Sequence, residues 1–193
     1  MTLRLPLLLA LAATPAVADD TRQLGSHEHG VGTLNIAFDG GTVAMEFRAP
    51  GADIVGFEHA AESAEDRAAI DSAVATLARP LALFTLPDAA QCSVTEARAA
   101  LEGADEDDHA SKGEHDKHDH DHGHAAEDGG HSEFHAEYLL TCADPGAVTR
   151  IDFGYFASFP DARELQVQIV TGTGAQALTV LRDAPELDLR GMF

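Results

Sequence analysis

From Gly32 to Ala49 the chain reads GTLNIAFDGGTVAMEFRA, and the period of its apolar residues decides the fold. Leu34, Ile36 and Phe38 alternate with Thr33, Asn35 and Ala37, the period-2 pattern of a half-buried strand. Asp39-Gly40-Gly41 follows, a hairpin turn signal. Val43, Met45 and Phe47 then share one face of a second strand. A two-residue turn at Gly40-Gly41 sets Phe38 opposite Val43, Ile36 opposite Met45 and Leu34 opposite Phe47. Apolar meets apolar at each step, so the register supports itself.

Working toward the C-terminus, Pro50-Gly51 ends the strand and GADIVGFEH reads as a connection. Ser63 followed by Asp66 is a variant of the capping box. Ile70, Val74, Leu77 and Leu81 fall on one helical stripe, and Arg79-Pro80 closes it. The spacing predicts a helix over Ser63–Ala78, covering one face of a sheet. Cys92 to Leu101 reads as a strand or a short helix, whereas His135 to Cys142 (HAEYLLTC) reads as a strand with Ala136, Tyr138, Leu140 and Cys142 on one face. Ile151 to Phe159 (IDFGYFASF) is predicted as a buried strand running to Pro160, and Leu165–Val170 and Gln176–Leu181 as a hairpin about Thr171–Gly174. The sum is an α+β domain: a mostly antiparallel sheet of about six or seven strands under one main helix.

The 193 residues, 45% of them hydrophobic, suffice for one core. Residues 1–18, MTLRLPLLLALAATPAVA, carry a cation at Arg4, a short apolar run and an Ala16-Val17-Ala18 cleavage signal. They are expected to be a signal peptide, leaving residues 19–193 as a single exported domain. No later run is apolar for long enough to span a bilayer, so no membrane insertion is expected after cleavage. Two cysteines in an exported chain point to one disulfide, Cys92 to Cys142, rather than to thiolate ligands. If Cys92–Leu101 is a strand, the two cysteines face each other at the base of a hairpin.

The formal charge is −21, with 33 acidic residues against 12 basic ones. Such a polyanion repels nucleic acid and anionic lipid. Divalent cations are its natural counter-charge. The acid is densest between Gly103 and His131, where ten Asp or Glu and two Lys surround seven of the eleven histidines: His109, His115, His118, His120, His122, His124 and His131. No hydrophobic period runs through residues 103–131, so they are predicted to form a disordered insertion loop. Neutral imidazole suits zinc, copper, nickel and cobalt, and His118-x-His120-x-His122-x-His124 lets many pairs reach one ion. Such a loop holds several ions weakly and selects poorly among them.

The other four histidines lie outside the loop. His27 and His29 (SHEHG) precede the first strand, and as i and i+2 of an extended chain they point the same way. The hairpin register, continued, sets His29 opposite Ala52, with His59 of GFEH a few residues on. A three-histidine site is therefore predicted at this end of the sheet, its fourth position open to His135, Glu58, another acidic side chain or water.

At these residues a family resemblance enters. HEHGVGTLNIAFDGGTVAMEFRAPGADIVGFEH resembles the opening of the ZrgA-type periplasmic zinc-uptake proteins. The order that follows (a Cys, an acidic His-rich loop, HAEYLLTC, an aromatic segment ending FASFP and two closing strands) is similar throughout. The resemblance implies a periplasmic zinc-binding protein that assists zinc import, with zinc ions and components of an inner-membrane importer as partners. By motif, His27, His29 and His59 match family positions expected to bind metal. Other readings of the same residues are a periplasmic buffer or detoxifier of zinc, copper or nickel without a transport partner, and a metal that staples the N-terminus to the sheet. Copper(I) is disfavoured because only three Met occur and none is clustered. A zinc hydrolase is not expected: HEHG lacks the helix and the spacing of H-E-x-x-H.

Overall fold

The computed structural model describes residues 28–103 and 132–192. The expected signal segment, His27 and the histidines from His109 to His131 lie outside these residues. Strands β1 (Val31–Asp39) and β2 (Thr42–Pro50) form the expected hairpin, pairing Phe38 with Val43, Ile36 with Met45 and Leu34 with Phe47. All six side chains are buried. The pairing runs only to Thr33 and Arg48, so the continued register of His29 with Ala52 is not realised. The chain turns out of the strand at Pro50 into a short helix, α1 (Gly51–Val55).

The predicted long helix is α2 (Ala64–Leu77). Ser63 Oγ accepts from Asp66 N, and the Asp66 carboxylate accepts in return from Ser63 N, each at 3.0 Å. These backbone and side-chain bonds from Ser63 hold the Asp66 carboxyl below its usual range. Ser63→Ala should cost about 1 kcal/mol in a urea titration. Leu77 is fully buried, and Ile70, Val74 and Leu81 pack against the core beside it. A second short helix, α3 (Pro80–Leu83), leads into β3 (Phe84–Thr85).

The segment from Cys92 is a strand, β4 (Cys92–Glu102), and pairs antiparallel with β5 (Glu133–Cys142). Cys92 lies opposite Cys142 and the two are disulfide-bonded across 50 residues of sequence. The bond closes one end of the hairpin, and the span from 104 to 131 leaves from the other. The buried strand expected over Ile151–Phe159 is shorter: β6 (Arg150–Phe153) gives way to α4 (Tyr155–Ser158). A chain turning over the core buries aromatics as well as a strand does, so an apolar run alone could not separate the two. β7 (Glu164–Thr171) and β8 (Gly174–Leu181) make the closing hairpin, and β9 (Glu186–Asp188) follows.

These strands form a six-stranded sheet in the order β4-β5-β2-β1-β7-β8 and a three-stranded sheet in the order β3-β6-β9. All pairings are antiparallel except β1 with β7. One face of the large sheet carries the core. Phe47 there meets Phe84 of the small sheet at 6.0 Å and Tyr155 of α4 at 5.2 Å between ring centroids. The other face is open to solvent, as an antiparallel sheet permits; it presents Asn35, Ala37, Ala44, Glu137 and Gln168.

The start of β1, the end of β2, the end of β4 and the starts of β5 and β7 all lie at one end of the large sheet. The disulfide lies at the opposite end.

Candidate metal centre

His29 and Gly30 lead into β1 at the end of the sheet remote from the disulfide. Gly30 has φ +91°, a turn that an L side chain rarely adopts. Its N–H donates to Asp53 Oδ1 at 2.7 Å, tying the N-terminal stretch to α1. Asp53 is only 3% exposed, and among the described residues its Oδ2 has no hydrogen-bond partner. Burial pushes its carboxyl up from the ordinary value; the Gly30 N–H and the nearby His29 work against that shift. His29, Asp53, Asp161 and Arg163 line a cleft of about 400 Å³.

Beyond α1 the chain continues into GFEH, whose Gly56 also lines the cleft. Glu58 is the residue that reaches His29, with Oε1 3.2 Å from Nε2. Two donors bound about 2.0 Å from a tetrahedral zinc stand about 3.3 Å apart, so this pair already has the separation of two ligands. His59 is exposed; its ring stacks on Phe57 at 4.6 Å, and its Nδ1 lies 2.8 Å from Ala60 O. Among the described residues, no group of three or more His, Cys, Asp or Glu side chains surrounds a common point.

The root of the His-rich span comes to the same place. Gly51 N donates to Ser132 O at 2.7 Å. Gly51 is required by close approach: a Cβ there would come within 2.3 Å of Ser132 Oγ and 2.6 Å of Phe57 O. Ser132, which follows the His-rich span, the first residue of α1 and Phe57 of the GFEH stretch are therefore packed together.

His135 belongs to a different cluster. It sits on the open face of the sheet, where β2 and β5 set it beside Arg48 and β4 sets it beside Ala100. Its Nδ1 lies 3.0 Å from Glu102 Oε1, and its Nε2 lies 3.4 Å from Glu46 Oε1 and from Arg48 Nη2. Arg48 also donates to Glu46 and Glu133, each at 3.1 Å. Burial lowers the Arg48 guanidinium, but the bonds to Glu46 and Glu133 outweigh it and hold it above its ordinary value. Arg48 thus places a fixed positive charge among the acids where a cation would otherwise gather.

Three residues of this region were not singled out in the sequence. Asp53 lay in a stretch read as a connection; an acid in the first turn of a short helix was its only signal. Arg48 follows Glu46 on the polar face of its strand, and only the β2–β5 register brings it to His135. Arg182 donates to the carbonyls of Phe156 and Phe159, each at 2.7 Å, and to that of Ala162, holding the segment that delivers Asp161 and Arg163 to the cleft. No short-range pattern announced it.

Among the described residues, no helix is long and apolar enough to cross a membrane. Residues 26–189, nearly all the chain beyond the expected signal segment, match the model of a family of zinc uptake proteins. The chain belongs to that family, the ZrgA family. No curated protein matches it.

Proposed function

We propose that the protein binds zinc in the periplasm and assists its uptake by an inner-membrane importer. A tight site on the folded domain is built around His27, His29 and His59. The seven histidines from His109 to His131 collect ions weakly. The protein is no enzyme on this reading; zinc is its cargo.

The observation that carries the reading is the meeting of His29 with the GFEH stretch at one sheet end, His29 Nε2 lying 3.2 Å from Glu58 Oε1, in a chain of a zinc uptake family. The packing of Ser132 against Gly51 and Phe57 supports the division of labour. A tether rooted beside a site raises the local concentration of whatever it carries there. Release follows competition by the importer or protonation of the imidazoles. The disulfide fits a secreted protein.

Calorimetric titration of zinc into the chain from residue 19, with and without residues 103–131, tests this. The deletion is expected to keep one tight site and lose several weak ones, and His27→Ala, His29→Ala or His59→Ala in that background should abolish the tight one. Loss of all tight binding with the loop, and indifference to the three substitutions, would make the loop itself the binder. Cells lacking the protein should fail when zinc is scarce; sensitivity to excess instead would mark a buffer or detoxifier.

A further inference from the structure

We infer that Asp53 supplies an anionic ligand to this zinc site, its Oδ2 binding the ion together with His29 and Glu58. The inference rests on the proposed zinc-binding function and adds to it a residue from a separate element.

A buried carboxylate is costly unless its oxygens are compensated. Asp53 is 3% exposed, and only half of it is compensated within the fold. Oδ1 takes the Gly30 N–H, and Oδ2 takes no hydrogen bond from any described residue. If Asp53 served only to brace the Gly30 turn, a neutral acceptor would do the same work without burying a charge.

The bracing bond also fixes where the carboxylate sits. It is anchored to the residue next to His29 and lines the same cleft as His29. Glu58 Oε1 reaches His29 Nε2 at a separation two ligands of one zinc would have. The His29 side chain is 67% exposed and already lines the cleft, so an ion can reach its ring from solvent. Two carboxylates balance the charge of one zinc. With imidazole they make a nitrogen and oxygen donor set, which suits zinc and disfavours copper(I), since copper(I) seeks sulfur.

Asp53→Asn keeps an acceptor for Gly30 and removes the charge. It should be made in the full chain from residue 19. Zinc below one equivalent, set against a strong chelator, fills only the tightest site. The variant is expected to bind at least tenfold more weakly. Cobalt(II) in the same site should show an altered visible spectrum, and the metal-free melting temperature should stay near that of the parent.

Unchanged affinity in Asp53→Asn with loss in His29→Ala overturns the assignment and leaves the proposed function standing. Unchanged affinity in both overturns the HEHG site as well. Weaker zinc binding with an unaltered cobalt spectrum makes Asp53 a positioning residue and not a ligand, which also overturns the assignment. A measurement on the unsubstituted chain guards against a variant that folds poorly. One equivalent of zinc must move the carbon-13 resonance of the Asp53 carboxyl group, and a stationary resonance overturns the assignment.

Discussion

Replacing Cys92 and Cys142 together by Ala should lower the stability of the fold by about 4 kcal/mol, roughly a thousandfold in the ratio of folded to unfolded chain. The two cysteines face each other in register where β4 and β5 begin and end, so the bond ties strands that are already paired. Its main effect therefore falls on the unfolded chain. There it closes a separation of 50 residues, a span that includes the acidic His-rich segment. Deleting residues 103–131 shortens the closed loop to about 20 residues, and the same substitution should then cost about 3 kcal/mol. Urea unfolding of the four chains measures both values. Equal midpoints for the disulfide-bonded and alanine chains would mean that the ladder alone holds the hairpin.

Arg182→Ala should cost about 3 kcal/mol, because a charged donor to partly buried carbonyls is lost and those carbonyls are left behind. The guanidinium binds the carbonyls of Phe156, Phe159 and Ala162 and lies 5.6 Å from the centroid of the Phe156 ring. Arg182→Lys should recover little of this. An ammonium group on a flexible stem cannot present the same planar fork. The segment so held ends at Asp161 and Arg163, which line the cleft with His29 and Asp53. Zinc affinity should therefore fall along with the unfolding midpoint. A lower midpoint with unchanged affinity would separate the placement of this segment from the site.

The β1–β2 hairpin was legible because its turn residues and its apolar alternation agree, and both are local. The same holds for α2, which Ser63 and Asp66 announce and Leu77 and its neighbours orient. The parallel pairing of β1 with β7 joins residues more than 120 apart, and neither strand's pattern differs from that of an antiparallel neighbour. Helix α1 and strands β3 and β9 are too short to show a period. The candidate site divides along the same line. His29 and the GFEH stretch stand out by residue type. Asp53 becomes informative only once it is seen to be buried against a backbone N–H 23 residues away. His135 was legible as a polar-face histidine, but its tie to Arg48 depends on a strand pairing that no local signal specifies.

The order of strands has a kinetic consequence. His29 and Gly30 feed β1, and α1 with GFEH extends from β2; both strands lie in the interior of the large sheet, each flanked on two sides. Amide hydrogens of such strands exchange with solvent only through openings close to global unfolding, whereas edges such as β4 and β8 open locally. The residues of the proposed zinc site are thus moored to the slowest-exchanging part of the molecule. An ion can arrive and leave while the amides of Leu34, Ile36, Met45 and Phe47 keep their deuterium-exchange protection. Among the described residues, any protection gained on zinc addition should be confined to residues 28–30 and 51–59.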